Sequence, residues 1–443
     1  MASIAKSLSN PLRKLSNNVA SLLVIQVSNY ALPLISVPYF TRIVGPEKFG
    51  VINFIGAFVA YCMLVTEFGF DTTATRDVVH AKENPRQLNQ LCSEVFYSKA
   101  ILFVLSLSVY SLFIACLPQL REELFVSLSY VFICFAIVLT PSWLFQGFQD
   151  NHVLAYYNIT SKVLFTVAVL VFINVEQDYI LYPLLLSMSQ ILIGGVAFYR
   201  IRSKYHVRLV SVSFHQILNR IKSSKHIFIS MLVISLYSTT NVIIIGFFKG
   251  EGAVGQLSAA LKIMALVQAC LSVPFTQALF PFIGQRFKDS REEGFKVVQV
   301  ALPIVLIIGL VCCLACCILA PLLVDILFGA EFRDAVHMLR ILAFIPLVVV
   351  FSQFLGIQIM INLNMDRTFK KVILYGAIGG LIMNTLGGYF GGAIGISGTY
   401  LFTELTIAFF FIHFLRKENI ALSTLFAKLN MKSLRLLINN VRA

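Results

Sequence analysis

Long apolar runs alternate with short polar turns along the 443-residue chain, and twelve of the runs are long enough to cross a bilayer. They cover approximately residues 17–41, 50–69, 96–117, 124–146, 153–174, 180–199, 227–248, 254–283, 297–320, 336–361, 372–391 and 393–415. A spanning helix needs about 20 apolar residues, since it rises about 1.5 Å per residue through a hydrocarbon core about 30 Å thick. The backbone finds no water there, so each run is predicted to close its hydrogen bonds internally as a helix. The expected fold is an all-α integral membrane protein of twelve transmembrane helices. Val19 to Phe40 is too long for the apolar core of a cleaved leader and is kept as part of the first span.

The longest interior polar stretch, Arg200 to His226, divides the spans six and six. We therefore expect a six-helix bundle over residues 1–210, a cytoplasmic linker over 211–226, a second six-helix bundle over 227–415 and a cytoplasmic amphipathic tail over 416–443. In that tail Leu422, Leu425, Phe426 and Leu429 recur at helical spacing beside Lys428, Lys432 and Arg435. Even halves allow parallel copies related by an axis along the membrane normal. Two echoes point that way. Gly45 to Gly50 and Gly250 to Gly255 both turn the chain after the first span of a half, and Gln146 to Asp150 and Asn362 to Asp366 both follow its fourth.

Composition narrows the function. Apolar residues make up 58% and charged residues 13%, with a mean hydropathy of +0.84, which excludes a soluble enzyme or a large extramembrane domain. The net charge of +14 is a topological signal. With the amino terminus inside, 26 of the 35 lysines and arginines fall in cytoplasmic segments and six in outer loops or, at Arg340, just inside the span that follows one, so both termini are expected to be cytoplasmic. Cations scattered over short turns are not a nucleic-acid face. Cys312, Cys313, Cys316 and Cys317 lie in an apolar run without His or carboxylate neighbours, so they are read as small hydrophobes and no metal or catalytic site is expected.

Charged groups within spans mark function unless they reach an interface. Lys262, about eight residues into its span, and Lys162, about nine, lie near mid-depth, and both are expected to line a cationic cavity. Glu404, about eleven residues into the last span, is the candidate for coupling to a proton or sodium gradient. Lys99 is read as near enough to its span's end to snorkel. Pro33 and Pro38 are expected to bend the first span, which ends at Arg42. At the inner mouth, Glu67 to Asp77 groups charges and hydroxyls: Arg76 with Asp77 either meets an anionic headgroup or closes an internal salt bridge.

Three blocks now carry a family resemblance: Asn29 to Gly50, Gly69 to Asp77 and Pro141-Ser142-Trp143-Leu144-Phe145-Gln146-Gly147. The chain resembles a Wzx-type O-antigen flippase, in the polysaccharide-export family of the multidrug/oligosaccharidyl-lipid/polysaccharide (MOP) superfamily. The resemblance implies two six-helix bundles arranged as a V. It also implies translocation of an undecaprenyl-pyrophosphate-linked oligosaccharide from the cytoplasmic to the periplasmic leaflet of a bacterial inner membrane by alternating access, without ATP. Membrane lipids and other polysaccharide-assembly membrane proteins would be its partners, and no cofactor is needed beyond a coupling ion. Lys262, Lys162, Arg42, Lys99, Arg76, Asp77 and Asn53 are the expected substrate contacts, with Tyr237, Gln268 and Gln353 as further sugar contacts. The rivals are a multidrug exporter of the same architecture, which should carry acidic rather than basic groups at depth, and a membrane glycan polymerase or glycosyltransferase. An enzyme of that kind needs a larger outer loop than Pro321 to Ala335.

Overall fold

The computed structural model describes residues 32–420 and 425–426; for 273–278, 280 and 281 only the backbone is described. The opening half of the first predicted span and nearly all of the predicted tail helix lie outside these residues. All regular secondary structure of the described chain is helical, and the chain divides into two compact units, Met1–Leu232 and Val233–Ala443.

In the first unit the helices are α1 (Pro33–Glu67), α2 (Phe70–Ala81), α3 (Pro85–Cys116), α4 (Pro118–Glu122), α5 (Leu124–Val131), α6 (Ile133–Leu139), α7 (Ser142–Gly147), α8 (Asn151–Phe172) and α9 (Leu181–Ser203). Next comes α10 (Phe214–Ser238), which begins in the first unit and ends in the second. The second unit continues with α11 (Thr240–Asp289), α12 (Arg291–Ile318), α13 (Ala320–Phe328), α14 (Ala335–Leu342), α15 (Ile345–Gln353), a π-helical stretch over Phe354–Ile361, and α16 (Asp366–Lys417). Among the described residues nine helical stretches are long and apolar enough to span a membrane. Three of them, those containing α1, α11 and α16, are broken by a left-handed glycine, at Gly45, Gly250 and Gly392. Counting each broken stretch as two takes nine to twelve, consistent with the hydropathy pattern.

These breaks show how the turns work. Gly45 (φ 67°, ψ −179°) and Gly250 (φ 78°, ψ −175°) adopt nearly the same left-handed backbone, open to glycine without steric cost. The second echo also has a structural counterpart. Gln149 (φ 60°) and Asn364 (φ 59°) are left-handed non-glycine residues, each followed by an amide that reaches back five residues, Asp150 N–H to the Phe145 carbonyl and Met365 N–H to the Met360 carbonyl, both at 2.8 Å. Two features add detail to the sequence reading. The helix runs on through Pro38, and the break falls at Gly45, because a proline costs one backbone hydrogen bond whereas a left-handed glycine redirects the chain. Most of the predicted linker is also helical: α10 starts at Phe214, since Ile217, Ile221 and Phe228 give this polar stretch an apolar side.

Large side chains on the outer faces are apolar and exposed, as at Leu112, Leu192, Val311 and Phe390. Lipid tails are as apolar as leucine, so burial of such groups does not drive the helices together; close backbone approach does. The two arms of α16 illustrate this. A β-carbon at Gly395 would sit 2.1 Å from the Gly387 carbonyl oxygen, one at Gly380 2.6 Å from Thr403, and one at Gly376 2.4 Å from Ile407. Gly395→Ala is expected to force these arms apart at a cost of about 1–3 kcal/mol, read as a lower Tm of the detergent-purified protein. An unchanged Tm would mean that the hairpin is held elsewhere.

Candidate functional site

In the first unit a polar cluster forms where α1 gives way to α2. Phe68 (φ 50°) and Gly69 (φ 75°) break the helix, leaving Glu67 at the end of one segment and Asp71 in the first turn of the next. The Asp71 carboxylate accepts a hydrogen bond from Ser142 Oγ at 2.6 Å and pairs with Lys99 Nζ at 3.4 Å. Lys99 is 2% exposed, so it does not snorkel. The helix carrying it starts at Pro85, well before the apolar run, and this places Lys99 in its middle.

Nearly two turns further along α2, Asp77 receives Arg220 Nη1 at 2.5 Å, and the same guanidinium reaches Glu94 Oε2 at 2.9 Å. Gln90 also donates to Glu94 at 3.0 Å. Arg76 is exposed and lies 3.6 Å from Asp77, a loose internal pair of the kind the sequence allowed. Around the ions, Thr73 and Ser224 hydroxyls meet at 2.7 Å, and the Phe68 and Phe228 rings stack at 4.1 Å. Arg220, Ser224 and Phe228 are one and two turns apart, so one face of α10 is docked on α2.

The recognisable sequence blocks are partners in this cluster. Ser142 bonds Asp71, Thr75 Oγ1 donates to the Trp143 carbonyl at 3.2 Å, and Gly147 admits Val78 so closely that a β-carbon would lie 2.5 Å from it. The Gly69 to Asp77 and Pro141 to Gly147 segments are thus two sides of one contact.

The other candidates of this unit are placed individually. Arg42 is exposed on α1 and Lys162 half-buried on α8. Asn53 is half-buried and directs its amide N–H to its own helix, at the Phe49 carbonyl, 2.6 Å away.

In the second unit Lys262 is exposed on the arm of α11 beyond Gly250, next to the buried Ala259, Ala260, Ile263 and Met264. Glu404 is the opposite case, 4% exposed on α16. Tyr237 and Tyr400, with ring centroids 6.3 Å apart, both lie within electrostatic reach of it. Asn241 and Asn384, both fully buried, donate to the Tyr237 carbonyl at 3.1 and 3.3 Å, and each keeps a buried amide oxygen without a hydrogen-bond partner. Tyr237 thus belongs to a buried polar cluster. Gln268 donates to Ser272 Oγ at 2.5 Å.

Asp71, Glu94, Arg220, Ser142, Asn241, Asn384 and Tyr400 were not singled out as site residues from the sequence. Arg220 is 126 residues from Glu94 and 143 from Asp77. No local periodicity connects such pairs, whereas the polar asparagine at 384 inside an apolar span was a visible signal.

Helices with apolar outer faces, internal breaks and charged groups within the spans are the layout of a multi-pass membrane protein. Residues 15–287 match the family described as "Polysaccharide biosynthesis protein", and the chain belongs to that family. It is 30% identical over 410 residues, 92% of this chain and 98% of the relative, to an Escherichia coli K12 protein provisionally named as an O-antigen transporter. A Shigella dysenteriae protein with the same provisional name is 24% identical over 403 residues, covering 90% of this chain and 99% of that one. Among solved structures, an inward-facing multidrug-resistance MATE transporter of the MOP superfamily superposes with a TM-score of 0.70 at 14% identity, over 93% of this chain and 100% of its own. The lipid II flippase MurJ in an inward closed conformation does so with 0.70 at 13%, over 95% and 91%. The fold is of the MOP type.

Proposed function

We propose that this protein flips undecaprenyl-pyrophosphate-linked O-antigen repeat units from the cytoplasmic to the periplasmic leaflet of a bacterial inner membrane by alternating access, with both termini cytoplasmic. The observation that carries the reading is the near full-length similarity to proteins named for O-antigen transport. The charge at depth supports it. A diphosphate cannot enter hydrocarbon without counter-charge, and the span-depth lysines Lys162 and Lys262 are basic where an exporter of cations would be acidic. Arg42, Lys99, Arg76, Asp77 and Asn53 are proposed with them as contacts, Lys99 and Asp77 acting through the charge cluster that holds them.

Coupling is assigned to Glu404. A carboxylate this buried needs a proton or a cation to neutralise it, and the unpartnered amide oxygens of Asn241 and Asn384 add acceptors to the same unit. No cofactor enters the scheme.

Deleting the gene in its own host is the direct test. Surface polysaccharide should disappear while undecaprenyl-linked units accumulate, reachable by a glycan-modifying enzyme only from the cytoplasmic side; a normal surface polymer in the deletion strain would overturn the reading. Restoring Glu404→Gln in that strain should give transport whose dependence on external pH or sodium is flattened. A profile identical to wild type would remove Glu404 from coupling and leave the transport reading intact.

A further inference from the structure

We propose that the first unit binds an anionic phospholipid by its headgroup, in the small cavity at the end of α9. This site is separate from the transport reading and stands or falls without it. The cavity, about 290 Å³, is lined by Phe198, Ile201, Arg202, Val207, Arg208 and Leu209. It lies at the lower end of ligand-pocket volumes, enough for a small headgroup and too little for an oligosaccharide.

The walls are built rather than incidental. After α9 the chain turns at His206 (φ 53°), and the Val207 amide returns to the Ile201 carbonyl at 3.2 Å. The following extended residues are pinned to α3, Arg208 N–H on Asn89 Oδ1 and Val210 N–H on Ser93 Oγ, both at 2.8 Å. Arg202 and Arg208 therefore line one cavity from fixed backbone, Arg202 on α9 and Arg208 on the pinned segment that follows it.

Their charge is available. Between them in sequence, Lys204 is engaged by Asp150 at 3.0 Å, and Tyr205 donates to the same carboxylate. Burial pushes the Asp150 carboxyl up, but the Tyr205 hydrogen bond and the Lys204 ammonium outweigh it and hold the carboxyl below its ordinary value. Arg202 and Arg208 are both exposed, and among the described residues neither has a carboxylate within ion-pair distance. Two unpaired guanidinium groups facing one pocket form a receptor for a phosphate.

The surroundings select a lipid phosphate over a free one. On α9, Leu192, Val196 and Tyr199 are 63%, 53% and 72% exposed. They are spaced four and three residues apart, so they form one outward stripe, and Arg202 is its next position. An acyl chain lying on that stripe ends with its phosphate at Arg202, at the cavity that Arg208 also lines. Ile201 and Val207 offer an apolar floor for the glycerol, and Leu209 and Val210 are exposed apolar groups at the rim. Basic pockets where transmembrane helices meet the interface are recognised headgroup sites, and a tyrosine at that level is an interfacial anchor.

The experiment uses the full chain purified in neutral detergent, titrated with phosphatidylglycerol, phosphatidylethanolamine or soluble glycerol 3-phosphate, with native mass spectrometry counting adducts and Tm recording stabilisation. Phosphatidylglycerol should give a retained adduct and a higher Tm, and Arg202→Gln/Arg208→Gln should weaken its binding about tenfold or more. If the double variant does not fold, the two single substitutions decide, each expected to weaken binding several-fold. Equal binding of phosphatidylethanolamine would reduce the site to ordinary lipid contact. Displacement of the lipid by glycerol 3-phosphate at similar concentration would make it a free-anion site. Phosphatidylglycerol binding that is indifferent to both arginines would place the lipid elsewhere. Each of these three results overturns the proposal.

Discussion

Lys262→Glu is expected to abolish surface polysaccharide while leaving the protein in the membrane at its usual level. Reversing the charge replaces an attraction for a diphosphate by a repulsion of similar size. Loss of one partner from a desolvated charge pair commonly costs about 2–5 kcal/mol, which sets the expected fall in flipping at about a hundredfold or more. Stability should change little, because Lys262 is an exposed position of α11. Lys262→Arg keeps the cation and should keep most of the transport. Immunoblots of membranes alongside polysaccharide gels separate the two effects. A normal polymer from Lys262→Glu would exclude this lysine from the path.

For Asp71→Ala the expected loss is in the folded protein itself. The substitution leaves the Lys99 ammonium, 2% exposed, without its paired carboxylate, and removes the acceptor of the Ser142 hydroxyl. Breaking a buried ion pair from one side costs about 3–5 kcal/mol, because the remaining charge stays buried and uncompensated. Glu67 lies within electrostatic reach of Lys99 and supplies part of the missing charge, so the lower figure is the better expectation and Glu67→Gln added to Asp71→Ala should deepen the loss. Lys99→Met in the Asp71→Ala background should recover stability, since it removes the stranded charge. Thermal unfolding in detergent measures all four proteins. An Asp71→Ala variant that melts with wild type would show that water or Glu67 already solvates Lys99.

The parts of the fold that were legible in the sequence are those governed by the solvent. Apolar runs report the bilayer directly, and the turn glycines at Gly45 and Gly250 stand where the left-handed breaks occur. The end of a run is a poorer guide, because a helix continues into water once it has begun. Pro85 opens α3 eleven residues before the apolar run predicted to start at 96, and this buries Lys99. The candidate site was legible as residue types and depths but not as partners. Asp77 and Arg76 stood out from their neighbours, yet the guanidinium that grips Asp77 lies 143 residues away in a stretch that reads as a polar linker. Its docking depends on Ser224 and Phe228 sharing a helical face with Arg220, which becomes apparent only once that stretch is known to be helical.

The single-residue elbows at Gly45 and Gly250 have a practical corollary for anyone mapping this protein. Corners so tight offer no slack into which an epitope, a reporter domain or a protease could be admitted, so insertion scanning there should report misassembly rather than sidedness. Small thiol reagents directed at single cysteines introduced on the flanking exposed positions are the better probe.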